Sequence, residues 1–467
     1  MAIFISFFLF FILMMLVGLL ASLKAEANTD DYLLAGRNVG AFPMALSAAA
    51  SKISGFMFIG MLGYVYVQGF SSVWFLITWI FSDWLIWKVF YKSIREISEK
   101  ENISTITSFC ITDTKSNTGK YFLRFLALVI IIFMGVYAAA QLSAGAKALE
   151  AVLEMNYSLS VIIAAVLIAL YCFSGGIRAS IWTDSVQAII MLAAILCLAF
   201  VAVNSIGGFN NIKIALAEQG ANLVEWIPRD LKFGFLIFIL GRVANGFALL
   251  GQPHIVVRSM LIRDLESFKL AEKVYFMYYI VFCAAMFLVA LSARVILPDL
   301  INSDPEMALL ELSKSQLPNY LIGLILAGVF SSTISTADSQ ILSCTASITQ
   351  DLFTKFKNNY WFNKIVTLLI LVFVTVLALI SNESVFSLTM FGWVSLGVVF
   401  APLIFLRVFK YSLTNISSIF ICFISLTVAL IWSKSGYHAS LNEVFVGFIC
   451  FFILIILRKL SSFFIFP

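Results

Sequence analysis

Charge is what this sequence has least of: Asp, Glu, Lys and Arg supply 12% of its 467 residues, against 62% hydrophobic. Soluble globular chains carry about 25% charged residues, so that class is excluded. A mean hydropathy of +1.02 makes this a polytopic membrane protein. Histidine occurs only as His254 and His438, and nothing suggests covalent catalysis or an enzyme. His254 reads as a residue at the cytoplasmic end of a helix, paired with a helix C-terminus. The seven cysteines (Cys110, Cys172, Cys197, Cys283, Cys344, Cys422, Cys450) hold no CxxC pair, so neither a disulfide framework nor a metal site follows. Long polar stretches are missing too. The connections near 94–121, 205–232 and 298–316 are loop-sized, which leaves no soluble domain and no obligate protein partner in view. The net charge of +5 reflects Lys and Arg in cytoplasmic loops and calls for no nucleic acid.

What the chain does have is apolar runs near the ~20 residues that cross a bilayer, about thirteen of them. They fall at 2–23, 41–67, 71–93, 122–149, 157–174, 181–204, 233–250, 273–297, 317–349, 362–381, 384–407, 412–433 and 442–460. The first has no basic residue before it and exceeds the ~7–15-residue core of a signal peptide. It reads as a retained helix, although Ala25-Glu26-Ala27 resembles a cleavage site. One set of loops holds most of the basic residues, from Lys24, Arg37, Lys88, Lys92, Arg95, Lys100, Lys115 and Lys120 through Arg178, Arg258, Arg263, Lys269, Lys355, Lys357 and Lys364 to Arg407, Lys410, Arg458 and Lys459. The opposite set has chiefly Lys147, Lys213, Arg229, Lys232, Lys314 and Lys434. The positive-inside rule then puts the N-terminus outside and the C-terminus in the cytoplasm.

Charges inside those runs ask for an explanation, because each costs roughly 2.5–3.5 kcal/mol at the bilayer centre. Lys52, Asp83, Asp184, Arg242 and Asp338 are such residues. They either mark a functional site or pair off, Lys52 with Asp83 or Asp338, and fix helix packing. Two runs look interrupted: 41–67 at the small-residue patch around Lys52, and 233–253 at Gly241, Asn245, Gly246, Gly251 and Pro253. Discontinuous helices at matching places in two halves flank the midplane site of many transporters. In the ninth run Ser332, Ser335, Thr336 and Ser339 follow i, i+3, i+4 and i+7 spacing. Such a hydroxyl stripe coordinates a small hard cation or glues helices together, and Asp338 within it tilts the reading toward ions or protons.

These residues carry a family likeness. Gly36-Arg37, Phe42-Pro43 and ALSAAAS at 45–51, Tyr137 with Gly145-Ala146, SIWTDSVQA at 180–188, GQPHIVVR at 251–258 and STADSQILSCTASITQDLF at 335–353 together resemble the sodium/solute symporter family, above all its sodium/proline branch. The resemblance implies an all-α, LeuT-like core of five plus five helices in inverted repeats, 41–204 and 233–407. Residues 1–40 precede that core, the extracytoplasmic loop 205–232 joins its halves, and two helices in 408–467 follow. It implies a sodium site at the carbonyls of Ala50 and Ile53 with Ser332, Ser335 and Thr336. A second polar site, seen in some members, falls at Asp184, Ser335, Asp338 and Ser339. Substrate is implied near Ser54, Phe56, Tyr137, Asn245 and Leu249.

The sequence also departs from that branch. Lys52 stands where the branch has an aspartate, so an amine replaces a carboxylate beside the implied sodium site. Two like charges 4 Å apart repel by about 4 kcal/mol at an effective dielectric near 20, enough to evict sodium. Three outcomes compete: Lys52 cycles protons, Lys52 is held away by Asp83 or Asp338, or Lys52 meets an anionic substrate. Phe56, Asn245 and Leu249 stand where the branch has Trp, Trp and Tyr, so proline is not secured as the solute. Arg242, about one turn before Asn245, either holds a carboxylate bidentately or forms an ion pair in an outer vestibule. The expectation is an inner-membrane symporter of an amino acid or other small carboxylate, coupled to sodium or protons, its other contacts being membrane lipid. A solute sensor and an uncoupled uniporter or channel are the alternatives.

Overall fold

The computed structural model describes residues 2–22, 34–113, 116–356 and 359–464. Lys24, Ala25-Glu26-Ala27, Lys115 and Lys357 lie outside the described residues, as does the side chain of Cys172. In chain order the first half has α1 (Ala2–Ser22), α2 (Ala41–Lys52), α3 (Met61–Gln68), α4 (Val73–Ile86), α5 (Lys92–Lys100), α6 (Ile106–Phe109), α7 (Asn117–Val129), α8 (Gly135–Leu153) and α9 (Tyr157–Ile206). The second has α10 (Phe209–Gln219), α11 (Gly234–Phe247), α12 (Pro253–Leu261), α13 (Ser267–Ile296), α14 (Ala308–Gln316), α15 (Asn319–Ala346), α16 (Tyr360–Ile380), α17 (Val385–Val408), α18 (Asn415–Ser433) and α19 (Glu443–Phe464).

Every apolar run read from the sequence is helical over most of its length in the described residues, the run 41–67 being broken at 53–54. Among those residues nine helical stretches are long and apolar enough to cross a membrane, and Ala2–Gly18 and Tyr157–Ala169 are shorter apolar helices. With 50 residues at about 1.5 Å each, α9 exceeds a bilayer's hydrocarbon core more than twofold. Within it, 177–206 is long and apolar enough to cross a membrane and 157–169 is a shorter apolar stretch. Lys314 of α14 donates to Ala151 O near the end of α8, and Gln219 at the end of α10 donates to Arg294 O near the end of α13. Large apolar side chains such as Phe200, Leu236 and Ile380 are exposed on the outer faces, where lipid is their natural solvent.

At the centre stands α15, buried along most of its length and packed against α1, α2, α8, α9 and α16. Against it α2 ends abruptly. Its alanines favour helix, but Ile53 leaves the helical region (φ −80°, ψ 75°). The chain resumes through a π-helical turn at Phe56–Gly60 before α3. Gly55 sits in the gap, its N–H donating to Gln141 Oε1 at 2.9 Å. A methyl there would come within 2.6 Å of Thr333 Cγ2 and 2.8 Å of Ala144 Cβ.

The second break is narrower than the sequence reading drew it. The helix runs on through Gly241, Asn245 and Gly246 and one 3-10 turn at 248–251, and opens only at Gln252 (φ −100°, ψ 95°). Pro253, which lacks the N–H a continuing helix needs, then starts α12. Gly241 and Gly246 are packing positions, where a methyl would meet Asn442 N at 3.0 Å or Ser82 Oγ at 2.5 Å. Gly251 lies against Gly397 of α17, and a methyl on it would fall 2.5 Å from Leu396 O.

Candidate ion and substrate site

The last carbonyls of a helix have no partners within it and carry partial negative charge. At the end of α2 those carbonyls face α15. Ser335 Oγ lies 3.3 Å from Ala50 O, and Thr336 Oγ1 lies 3.3 Å from Ser51 O. Ile53, at the same end, is fully buried. Ser332, one turn back on α15, bonds its own Val329 O at 2.7 Å. All are uncharged oxygens, the donor type a small hard cation takes.

Lys52 turns the other way. Its ammonium pairs with Asp83 Oδ2 of α4, to which the Tyr275 hydroxyl of α13 also donates at 2.6 Å. The amine lies 4.5 Å from the centre of the Tyr279 ring and 5.2 Å from that of Trp79. Of the two carboxylates the sequence offered, Asp83 is the one that meets it.

Around the break in α2 the other residues form two linked groups. Phe56 contacts Trp79 at 6.1 Å between ring centres, and Trp79 Nε1 donates to Asn245 Oδ1 at 2.8 Å. Trp393 stacks on Trp79 at 4.9 Å and donates to Asn245 O at 3.0 Å. On the other side Tyr137 lies beside Ser54 and meets the His254 ring edge-on at 5.6 Å. Leu249 is fully buried in the 3-10 turn before Gln252. The sequence reading missed Trp79, Trp393, Gln141 and Gln252. Only the rarity of tryptophan, nine residues in all, hinted at the first two.

Two further expectations need correcting. His254 does stand at a helix end, but at the N-terminal one and not paired with a C-terminus: it lies in the first turn of α12, fully buried, with neither ring nitrogen bonded to a described residue. Arg258, counted among loop residues, is 1% exposed. Its Nη2 bonds Asp184 Oδ2 at 3.0 Å and Ser339 Oγ at 2.6 Å, and its Nε bonds Ser47 Oγ at 2.9 Å. A guanidinium thus stands between Asp184 and Ser339, two members of the second polar site the resemblance implied. Asp338 is buried next to Ser339 on α15.

Arg242 lies outside this cluster. It lines a cavity of about 630 Å³ that reaches the connections around Asp230 and Ser440 at the α10 end of the bundle. Beneath the cavity is a layer of rings: Tyr64 stacks on Phe386 at 5.2 Å, and Phe386 contacts Phe56 at 5.4 Å. Phe75 joins Tyr64 to Trp79. Glu306 fixes Phe386, accepting its N–H at 2.8 Å and that of Val385 at 3.1 Å while Lys147 donates to Glu306 at 2.7 Å. At the rim Arg229 hydrogen-bonds Glu225 at 2.7 Å and holds that exposed carboxyl below its ordinary range.

Residues 32–420 match the family model described as the sodium:solute symporter family. The sodium/proline symporter of Escherichia coli strain K12 is 27% identical over 449 residues, 93% of this chain and 88% of that protein. The osmoregulated proline transporter OpuE of Bacillus subtilis strain 168 is 27% identical over 458 residues, 95% and 92% of the two chains. Among solved structures, a substrate-bound, outward-open Na+-coupled sialic acid symporter superposes with a TM-score of 0.81 at 16% identity, over 100% of this chain and 98% of that one. Mhp1, a nucleobase-cation-symport-1 family transporter, gives 0.58 at 13% identity, over 92% and 94%. These two likenesses establish a shared fold. The match over most of the chain, joined to that fold, settles the kinship: this integral membrane protein belongs to the sodium:solute symporter family.

Proposed function

We propose that the chain imports an amino acid or similar small carboxylate together with sodium, by alternating access, in the inner membrane. The observation that carries this reading is the divergence of Lys52 from the hydroxyls of α15. The ammonium is spent on Asp83, to which Tyr275 also donates, while Ser335 and Thr336 meet the carbonyl end of α2 on its other side. Paired with a carboxylate, the amine acts on a nearby ion as a dipole rather than a bare charge, and its repulsion falls accordingly.

Sodium held by Ala50 and Ile53 carbonyls with Ser332, Ser335 and Thr336 would tie the end of α2 to α15. Substrate would sit across the break in α2, near Ser54, Phe56, Tyr137, Asn245 and Leu249. Arg258 supplies a fixed positive charge to Asp184 and Ser339, so this reading has one sodium. One charge crossing 100 mV contributes about 2.3 kcal/mol to uphill transport. The two broken helices support repeats at 41–204 and 233–407, and the distribution of basic residues supports the α10 end as the outer face with the C-terminus inside.

A second reading keeps one observation: Asp83 Oδ1 is buried without a partner among the described residues, leaving room for a proton. Lys52 and Asp83 would then cycle protons in place of sodium. Uptake into proteoliposomes separates the two, with a panel of amino acids and with sodium and pH gradients imposed one at a time. Uptake that follows the pH gradient and ignores sodium sinks the sodium reading.

A further inference from the structure

Arg242 and Glu443 are opposite charges on two helices that line one cavity. Neither forms an ion pair within 4.0 Å with a described residue, although both face the same cavity. Both are built into place. Tyr64 accepts from Arg242 Nη2 at 3.2 Å, and the Phe75 and Phe238 rings flank the guanidinium at 4.8 and 5.1 Å. Glu443 opens α19, where helix-end polarity favours a carboxylate. Gly241 lets the start of α19 come close, and Asn245 Nδ2 donates to Asn442 Oδ1 at 3.2 Å. The Tyr64–Phe386 layer separates this pair from Phe56 and Trp79 below.

From this geometry we infer a capture site for a zwitterionic α-amino or imino acid on the outer side of the ring layer. Its carboxylate bridges to Arg242 and its ammonium to Glu443. A fixed pair of opposite charges with a gap between them fits a ligand that carries both signs on neighbouring atoms, and fits a simple carboxylate worse. The inference rests on the transport reading above and narrows its substrate class. Arg242 thereby leaves the midplane site and becomes the residue that loads it.

The test uses the full chain in proteoliposomes, offered a radiolabelled mixture of the common L-amino acids. Wild type is compared with Arg242→Gln, Glu443→Gln and the reversed pair Arg242→Glu/Glu443→Arg, with thermal unfolding as the check on folding. Each single change is expected to raise the half-saturating concentration about tenfold, the effect of one charge-assisted hydrogen bond, with the saturated rate unchanged. The reversed pair is expected to recover most of that loss, and a merely structural role would instead move the unfolding temperature or the saturated rate. Wild-type uptake with unmoved half-saturation in the single variants overturns the capture site and leaves the transport reading intact. A wild type that takes up none of the mixture overturns the capture site, and failure to take up small carboxylates as well overturns the transport reading with it. Should the single variants unfold, the reversed pair decides: near-wild-type half-saturation supports the site, and a tenfold loss overturns it.

Discussion

Lys52 and Asp83 close an ion pair between α2 and α4 with both side chains no more than 1% exposed. Burying two charges is costly, and breaking such a pair costs about 3–5 kcal/mol because the survivor stays buried. Lys52→Met and Asp83→Asn are therefore each expected to lower the unfolding temperature of the purified protein sharply. The double change Lys52→Met/Asp83→Leu should recover most of the loss. Additive losses in this cycle would show that the two side chains do not act as a pair.

The same pairing alters what a carboxylate at position 52 would do. Lys52→Asp alone sets two acids together beside Tyr275 and should express poorly. With Asp83→Asn added, it should fold and bind sodium more tightly than wild type. Sodium titration of uptake checks this, and a double variant with weakened sodium dependence would count against the site at the end of α2.

Ser335→Ala and Thr336→Ala each remove one oxygen from that site. Each is expected to weaken apparent sodium affinity about tenfold, in line with about 1–1.5 kcal/mol for one polar contact. The half-saturating sodium concentration of uptake is the readout. Ser343→Ala, also on α15 but with its hydroxyl bonded among the described residues to Ser339 O of its own helix, should leave it unchanged.

Glu306 holds Phe386 by its backbone, so Glu306→Gln should loosen the ring layer without touching the rings. Asn245→Cys on this background is expected to react faster with a membrane-impermeant thiol reagent added from outside. Equal labelling rates with and without Glu306→Gln would rule out a hold on the layer.

Gly55→Ala puts a methyl against Thr333 and Ala144, and overpacking of this kind costs about 1–3 kcal/mol. Transport should fall steeply, and trimming the neighbours with Ala144→Gly and Thr333→Ser should restore part of it. Uptake rates of the single and triple variants decide the point.

The helix positions and the break in α2 were legible because lipid forces long apolar runs and because a lysine set among small residues marks a place where a spanning helix is interrupted. The site was legible only in pieces. Lys52 had two candidate acids, at 83 and 338, and only the packing of α4 and α13 against α2 selects between them. Arg258 was misread because a basic residue after a proline-started helix looks like a loop anchor, whereas α12 is short and buried. The second break was drawn too wide because glycine at 241 and 246 serves close approach to α19 and α4, which has no local signature. Trp79 and Trp393 carry no spacing that marks them as partners of Asn245.

At Gly251 the second broken helix touches the backbone of α17 at Leu396 and Gly397, and Gly397 in turn receives only the methyl of Ala248. Large side chains that interlock resist sliding and turn relative motion into discrete jumps, whereas this contact has nothing bigger than a methyl to unmesh. A hinge between α11–α12 and α17 would therefore meet little resistance here. One more methyl has no room, so Gly251→Ala should slow the cycle more than it weakens the binding of either solute.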